Sequence, residues 1–465
     1  MGTVRDRGRI RLARWILIPL AGILSVSSLA APAGASTGPQ VAASTLANVL
    51  SVASNNNADS VSGSDCALLS TGQVKCWGAN FDGQLGNGTI TNHSDVPVAV
   101  TGISDAKAVA SDTYGNSFCA VLSTGGVKCW GANNEGQLGD GTTTKSDVPV
   151  SAKDITTATA IVGGDPGDAD GFCALLSTKH VDCWGYNFTG ELGNGTTTNS
   201  DVPVAVRTIT NAAVLISGYA GFCALLSTSH VYCWGDNTYG ELGRATAKAN
   251  YSDVPGAVTG ITDAKAVASG DLGSYCAVLS TGQVKCWGDN SYGVLGRGTT
   301  TNSDVPVAVT GISDAKTAAS DGDGESFCAV LSTGHMSCWG FNNYGQLGNG
   351  TATNSDVPVS VSNITTAAAV VGTVYGFCAL LTTSHIDCWG FNFYGELGNG
   401  TETSSEVPVA VHTITNAAAL ISGVYGYCAL LTTSHVDCWG YNYYGQLGDG
   451  ATMTSEVPVA VLAGN

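Results

Sequence analysis

Charge is scarce in this chain. Only 12% of its 465 residues are charged, where soluble proteins average about 25%. Basic residues are scarcer still: Lys+Arg is 18 against Asp+Glu 36, a formal net charge of -18. That shortage argues against a nucleic-acid binder, which neutralises phosphates with clustered Lys and Arg. Long apolar runs are also few. After one run from Trp15 to Ala30 there is no second, so no membrane span is expected beyond it. Disorder is excluded by the 44% hydrophobic content. An enzyme signature is missing too, because nearly every polar residue recurs in repeats and a catalytic constellation is assembled from unique residues. What the chain does have is 62 glycines and 16 cysteines, amid much Thr, Ser and Val. That mixture suits turns and strands and argues against a helical bundle.

The first residues have the form of an address. Arg5, Arg7, Arg9, Arg11 and Arg14 precede the apolar run, and Ala33-Gly34-Ala35 follows it. A basic start, a short apolar stretch and an A-x-A site predict a secretory signal peptide over residues 1–35, with an uncleaved anchor as the alternative. No paired arginines point to twin-arginine export. Removing 1–35 takes away five arginines and one aspartate, which moves the formal charge from -18 to -22. An extracellular protein is expected, soluble, monomeric and without electrostatic affinity for DNA or anionic lipid.

The cysteines set the organisation. They fall in pairs ten residues apart: Cys66 and Cys76, Cys119 and Cys129, Cys173 and Cys183, Cys223 and Cys233, Cys276 and Cys286, Cys328 and Cys338, Cys378 and Cys388, Cys428 and Cys438. The pairs recur about every fifty residues, the period of a solenoid or propeller. Each copy reads Cys-Ala-(Leu/Val)-Leu-(Ser/Thr)-Thr, then Cys-Trp-Gly-x-Asn-x-x-Gly-x-Leu-Gly, then (Asp/Glu)-Val-Pro. The connector 205–213 before the fourth copy is nearly repeated at 410–418 before the eighth. The array therefore reads as a four-copy block duplicated once.

Each copy predicts a four-stranded antiparallel sheet, a propeller blade. Val96–Val100 begins at a proline tolerated at a strand start or edge, and Ala106–Ala110 is a further strand. Cys66–Leu69 and Gln73–Trp77 form a hairpin whose Gly72 suits a left-handed turn position. Lys179 and Ser229 stand at that position in other copies and imply slight strain. If Leu69 pairs with Gln73, Cys66 faces Cys76 at a non-hydrogen-bonded site, where Cα atoms approach most closely. Eight hairpin disulfides follow, each closing about eleven residues and worth roughly 2.5–3 kcal/mol. Free core thiols are the alternative; the spacing matches no usual zinc pattern.

The run Trp-Gly-x-Asn-x-x-Gly-Gln-Leu-Gly, intact at 77–86, 130–139, 339–348 and 439–448, resembles the regulator-of-chromosome-condensation repeat family. The likeness covers about residues 45–465. It implies a closed all-β propeller, usually of seven blades, and eukaryotic members that act as guanine-nucleotide exchange factors or bind chromatin. This chain departs from that pattern. Its His-(Ser/Thr) before the hairpin is replaced, as at Gly171-Phe172, its cysteines are paired, it has eight copies, and it has the marks of an exported bacterial-type member. Exchange activity is therefore not expected. Secreted bacterial propellers of similar repeat include a protein inhibitor of β-lactamases. Eight blades are expected, with seven and a displaced copy as the alternative. Residues 36–44 read as a linker. No Val-Pro-Val strand precedes Cys66, so the last one, 457–461, is expected to complete the first blade and close the ring.

Three sets of residues are candidates for chemistry. His180, His230, His335, His385 and His435 share one hairpin position and read as loop-edge residues repeated by duplication, with a metal or pH-sensing ring as the alternative. Asp165, Asp168 and Asp170, and likewise Asp321, Asp323 and Glu325, are weak calcium candidates whose spacing does not match the twelve-residue calcium loop. No metal or cofactor is expected. Tyr239, Tyr292, Tyr344, Tyr394 and Tyr444 occupy one loop position in five consecutive copies. On one face they would form an aromatic arc suited to a protein or sugar partner; inter-blade packing is the other reading. A non-enzymatic scaffold that binds a protein or a cell-wall polysaccharide is the leading expectation. An inhibitor of a secreted enzyme comes next, and a polysaccharide-directed enzyme after that.

Overall fold

The computed structural model describes residues 44–55, 63–112, 116–164, 170–245, 250–423 and 425–464. The expected signal peptide, the linker up to residue 43, Asp165 and Asp168 lie outside the described residues. Among those described, thirty-two strands form eight four-stranded antiparallel sheets, with no helix. In the first blade, β1 (Val49–Asn55), β2 (Ser64–Leu69), β3 (Val74–Ala79) and β4 (His93–Ala99) follow in chain order. The other seven blades repeat that order.

The hairpin between β2 and β3 behaves as the spacing predicts. Leu69 N–H donates to Gln73 O at 2.9 Å, and three steps back Cys66 faces Cys76. All eight pairs form disulfides, with Cα atoms 4.0–4.1 Å apart. Gly72 turns the chain at φ +80°. Lys179, Ser229, Ser384 and Ser434 hold the same left-handed position at φ 61–67° despite their Cβ atoms. Such a residue stores strain, and the covalent bridge below the turn keeps it there.

The expectation that the last strand completes the first blade is corrected. That strand, Ser455–Ala460, pairs with Val436–Gly440 of its own blade. The cause is local. Asn80, in the loop after Trp77, accepts Leu85 N–H at 3.1 Å and donates to Thr89 O and Thr91 Oγ1, which folds the chain back. The strand that follows must then pair with the one just left: Cys76 faces Val98. Ring closure is made by shorter ties between the two ends. Leu46 N–H donates to Val461 O, Ala463 N–H to Ser44 O and Lys75 Nζ to Ala463 O, and Thr45 bridges Leu462.

The cores lie between blades. One joins the Cys66–Cys76 disulfide, Leu68, Val74 and Leu85 of the first blade to Phe118 and Trp130 of the second. Phe118 stacks on Trp130 at 6.2 Å. Seven further cores repeat this pattern, the last joining Cys428 and Cys438 to Trp77 and so closing the circle. Every repeat tryptophan donates its indole N–H across the seam, at 2.7–2.9 Å, to the carbonyl before the Leu-Gly of the preceding blade. The glycine of that Leu-Gly is required. A Cβ there would stand 2.7–3.1 Å from the next blade's indole, on a backbone at φ 59–67°.

The first strands of successive blades touch one another around the axis. The fourth strands form the outer edges, are half-buried, and carry the prolines, where no ladder bond is lost. Because the strands alternate in direction, the turn between first and second strands and the long loop between third and fourth open on one face. The hairpin tips and inter-blade connectors open on the other.

Candidate binding face

The long loop is a rigid platform. In every blade the Asn of Trp-Gly-x-Asn is buried, and its Oδ1 accepts the Leu N–H at 2.8–3.1 Å. Its Nδ2 gathers carbonyls from the far side of the loop, as Asn342 does with Thr351 O (2.9 Å) and Thr353 O (3.0 Å). In seven of the eight blades a Gln or Glu four residues after the Asn caps the tip: Gln346 Oε1 accepts Tyr344 N–H at 3.0 Å, and Glu396 accepts Tyr394 N–H at 2.8 Å; blade 5 has Val294 there. The backbone of those tips is therefore pinned.

Those tips carry the tyrosine arc, which becomes a ladder of rings across blades. Tyr292 packs edge-on to Phe341 of the next blade at 5.1 Å, Tyr344 to Phe391 at 5.1 Å, and Tyr394 to Tyr441 at 5.0 Å. Tyr444 reaches across the closure to Phe81 at 5.4 Å. Tyr375 and Tyr425, on the turns between first and second strands, fill the inner side against Tyr344 (5.0 Å) and Tyr394 (5.5 Å). Four of the five arc tyrosines join the ladder. Tyr239 stands at its end, 43% exposed, with no ring contact among the described residues. The ladder does not exhaust its rings in packing: Tyr344 is 38% exposed, and Phe393 and Tyr443 each 64%. Burial and the neighbouring Tyr444, Tyr394 and Tyr443 push the Tyr441 hydroxyl up to about 12, so it stays a neutral donor.

Sequence reasoning missed Phe341, Phe391 and Tyr441 at the x of Trp-Gly-x-Asn, and Tyr375 and Tyr425 before the hairpins. The signal was present, since x is aromatic in copies 3, 6, 7 and 8.

The other candidates are placed differently. The five histidines sit on separate hairpins on the opposite face, each with Nδ1 3.0–3.3 Å from the Thr two residues before it. Asp321 is buried and accepts Glu325 N–H, Ser326 N–H and Ser326 Oγ, a turn-holding role; burial raises it to about 8. Asp112 holds Ser117 in the same way and is raised to about 8 by burial and by the nearby Asp170. Among the described residues no three His, Cys, Asp or Glu side chains are placed to hold a metal ion.

Known proteins agree with this architecture. The regulator of chromosome condensation (RCC1) repeat matches residues 71–122, 124–165, 281–329 and 333–376, and a second model of the repeat matches 217–241 and 264–294. The ultraviolet-B receptor UVR8 of Arabidopsis thaliana is 30% identical over 302 residues, 63% of this chain and 67% of the receptor. The human E3 ubiquitin-protein ligase HERC2 is 28% identical over 237 residues, half of this chain but only 5% of the ligase. In solved structures the fold recurs in human WBSCR16 (TM-score 0.59, 20% identity, 76% of this chain and 98% of that one). It recurs also in yeast RCC1 (Prp20) bound to Kap60 (TM-score 0.55, 20% identity, 72% and 83%). With its repeats, its eight-bladed ring and this relative in hand, the chain belongs to the regulator of chromosome condensation repeat family.

Proposed function

We propose that this chain is an exported, monomeric, non-enzymatic scaffold that holds a protein partner on its aromatic loop face. The observation that carries the reading is the ring ladder across blades 5 to 8, with Tyr344 and Phe393 left open to solvent on loops pinned by a buried Asn. Rigid aromatic side chains give large contact area at low entropic cost, and they are enriched where interfaces concentrate their energy. Eight disulfides agree with an oxidising compartment. A relative of the same fold was solved with a protein partner, yeast RCC1 with Kap60. The test is to immobilise the mature chain and a Tyr344→Ser/Tyr394→Ser variant with unchanged melting, and to pass culture supernatant of the producing organism over both. A protein retained by the first and lost by the second supports the reading. Identical retention on both contradicts it.

A further inference from the structure

The loop face has eight seams, each made by the tip of one blade and the start of the fourth strand of the next. Two of these are closed by polar side chains. Lys145 Nζ lies 3.2 Å from Asp82 between blades 1 and 2, and Asn199 donates to Glu135 at 2.5 Å between blades 2 and 3. The seam between blade 8 and blade 1 has Tyr444 and His93 at those same two places, with ring centroids 6.5 Å apart. Here the seam opens into a cavity of about 480 Å³ lined by Phe81, Asn92, His93, Tyr443, Tyr444 and Thr452.

Its chemistry is mixed in a specific way. Phe81 and Tyr443 both meet Tyr444 edge-on, at 5.4 and 5.0 Å, so their rings stand as walls. Tyr443 is 64% exposed. Between those walls, the side-chain polar atoms of Asn92, His93, Tyr443, Tyr444 and Thr452 make no hydrogen bond to any described residue. Among the described residues no Lys, Arg, Asp or Glu lines the cavity, although the chain carries 36 acids. The volume falls in the range of small-ligand sites, roughly 300–1,000 Å³.

We propose that this seam binds a neutral pyranose unit of a glycan. A pyranose has an apolar C–H face to lay on an aromatic ring and a rim of hydroxyls for neutral donors and acceptors. An anionic ligand would find no Lys or Arg among the described residues that line it. A peptide side chain such as Phe would leave the polar groups around it unpaired, which costs affinity. The site goes beyond the protein-docking reading and does not rest on it: docking uses Tyr344 and Tyr394, and the sugar uses Tyr443 and His93.

The experiment is a calorimetric titration of the full mature chain with four neutral hexasaccharides, those of β-1,4-linked glucose, xylose, mannose and N-acetylglucosamine. Binding by at least one is expected, weakened about tenfold or more in Tyr443→Ala, a loss of roughly 1.4 kcal/mol. His93→Ala should weaken it too. Phe393→Ala, equally exposed one blade earlier, should leave it unchanged. No heat from any of the four at millimolar concentration overturns the proposal, as does binding that Phe393→Ala abolishes and Tyr443→Ala spares. Partner capture lost in Tyr344→Ser/Tyr394→Ser would be untouched by either result, so the two readings fail separately.

Discussion

The two halves of the ring share a scaffold and differ in what they display on it. Copies 1 to 4 and copies 5 to 8 have the same disulfides, the same indole bonds across the seams and the same Asn-held loops. At the loop tip, however, the first half carries Asp82, Glu135, Thr189 and Tyr239, and the second carries Tyr292, Tyr344, Tyr394 and Tyr444. At the x of Trp-Gly-x-Asn the first half has Ala79, Ala132, Tyr186 and Asp236, against Asp289, Phe341, Phe391 and Tyr441. In the first half the tips of blades 1 and 2 are tied to the next blade by an ion pair and a hydrogen bond, and in the second half the tips are tied to the next blade by rings. Residues that repeat around the circle make the fold, and residues that distinguish the halves make the face.

The sharpest way to break this comparison is to strike the shared part. Gly139→Ala in blade 2 and Gly348→Ala in blade 6 each put a methyl 2.9 Å from the next indole at positive φ. Both should lose about 3 kcal/mol in urea unfolding, and by similar amounts. A large loss in one and none in the other would show that the halves do not share a scaffold. The next effect concerns the unshared part. Tyr344→Ser/Tyr394→Ser should weaken partner capture by about tenfold or more, as loss of aromatic anchors does. Glu135→Ser, at the matching tip of blade 2, should leave capture intact.

A smaller effect separates blade 4 from blade 8. Glu241 stands where blade 8 has Gln446, and burial raises it from 4.5 to about 8; Glu191 and Glu396 rise to about 7. Each carboxyl binds its proton more tightly in the folded chain than in the unfolded one. Their stabilising contribution is therefore fully present below about pH 4.5, and it is lost as the pH rises through about 7 to 8. The melting temperature should fall over that window. Glu241→Gln, which makes blade 4 resemble blade 8, should flatten the fall; an unchanged slope would contradict the assignment. The smallest effect is expected at the Asp82–Lys145 pair, which is exposed enough that Asp82→Asn should cost under about 0.5 kcal/mol.

Much of the fold was legible because it is written eight times. The ten-residue cysteine spacing sets the hairpin register, and hence the disulfides. Blade phase was less legible. A Val-Pro-Val strand can pair with the strand before it or the one after, and only the folding back of the loop by Asn80 and its counterparts decides. The candidate face was half legible. The arc tyrosines recur at one position and could be read off. Their partners Phe341, Phe391 and Tyr441 stand about fifty residues further on, and ring geometry alone brings them together. Asp65 is a related case. It replaces the aromatic that stacks on the tryptophan in other blades, is buried beside Ser54, and is raised to about 7 by that burial.

The central claim is that the ring-bearing half is the binding face. Hydroxyl-radical footprinting of the chain with its captured partner tests it most directly, because exposed aromatic side chains are among those readily oxidised. The account predicts protection at Tyr344 and Phe393, with Phe188, 68% exposed in the other half, oxidised as in the free chain. Protection at Phe188 or along the histidine hairpins, with Tyr344 and Phe393 unprotected, would contradict it.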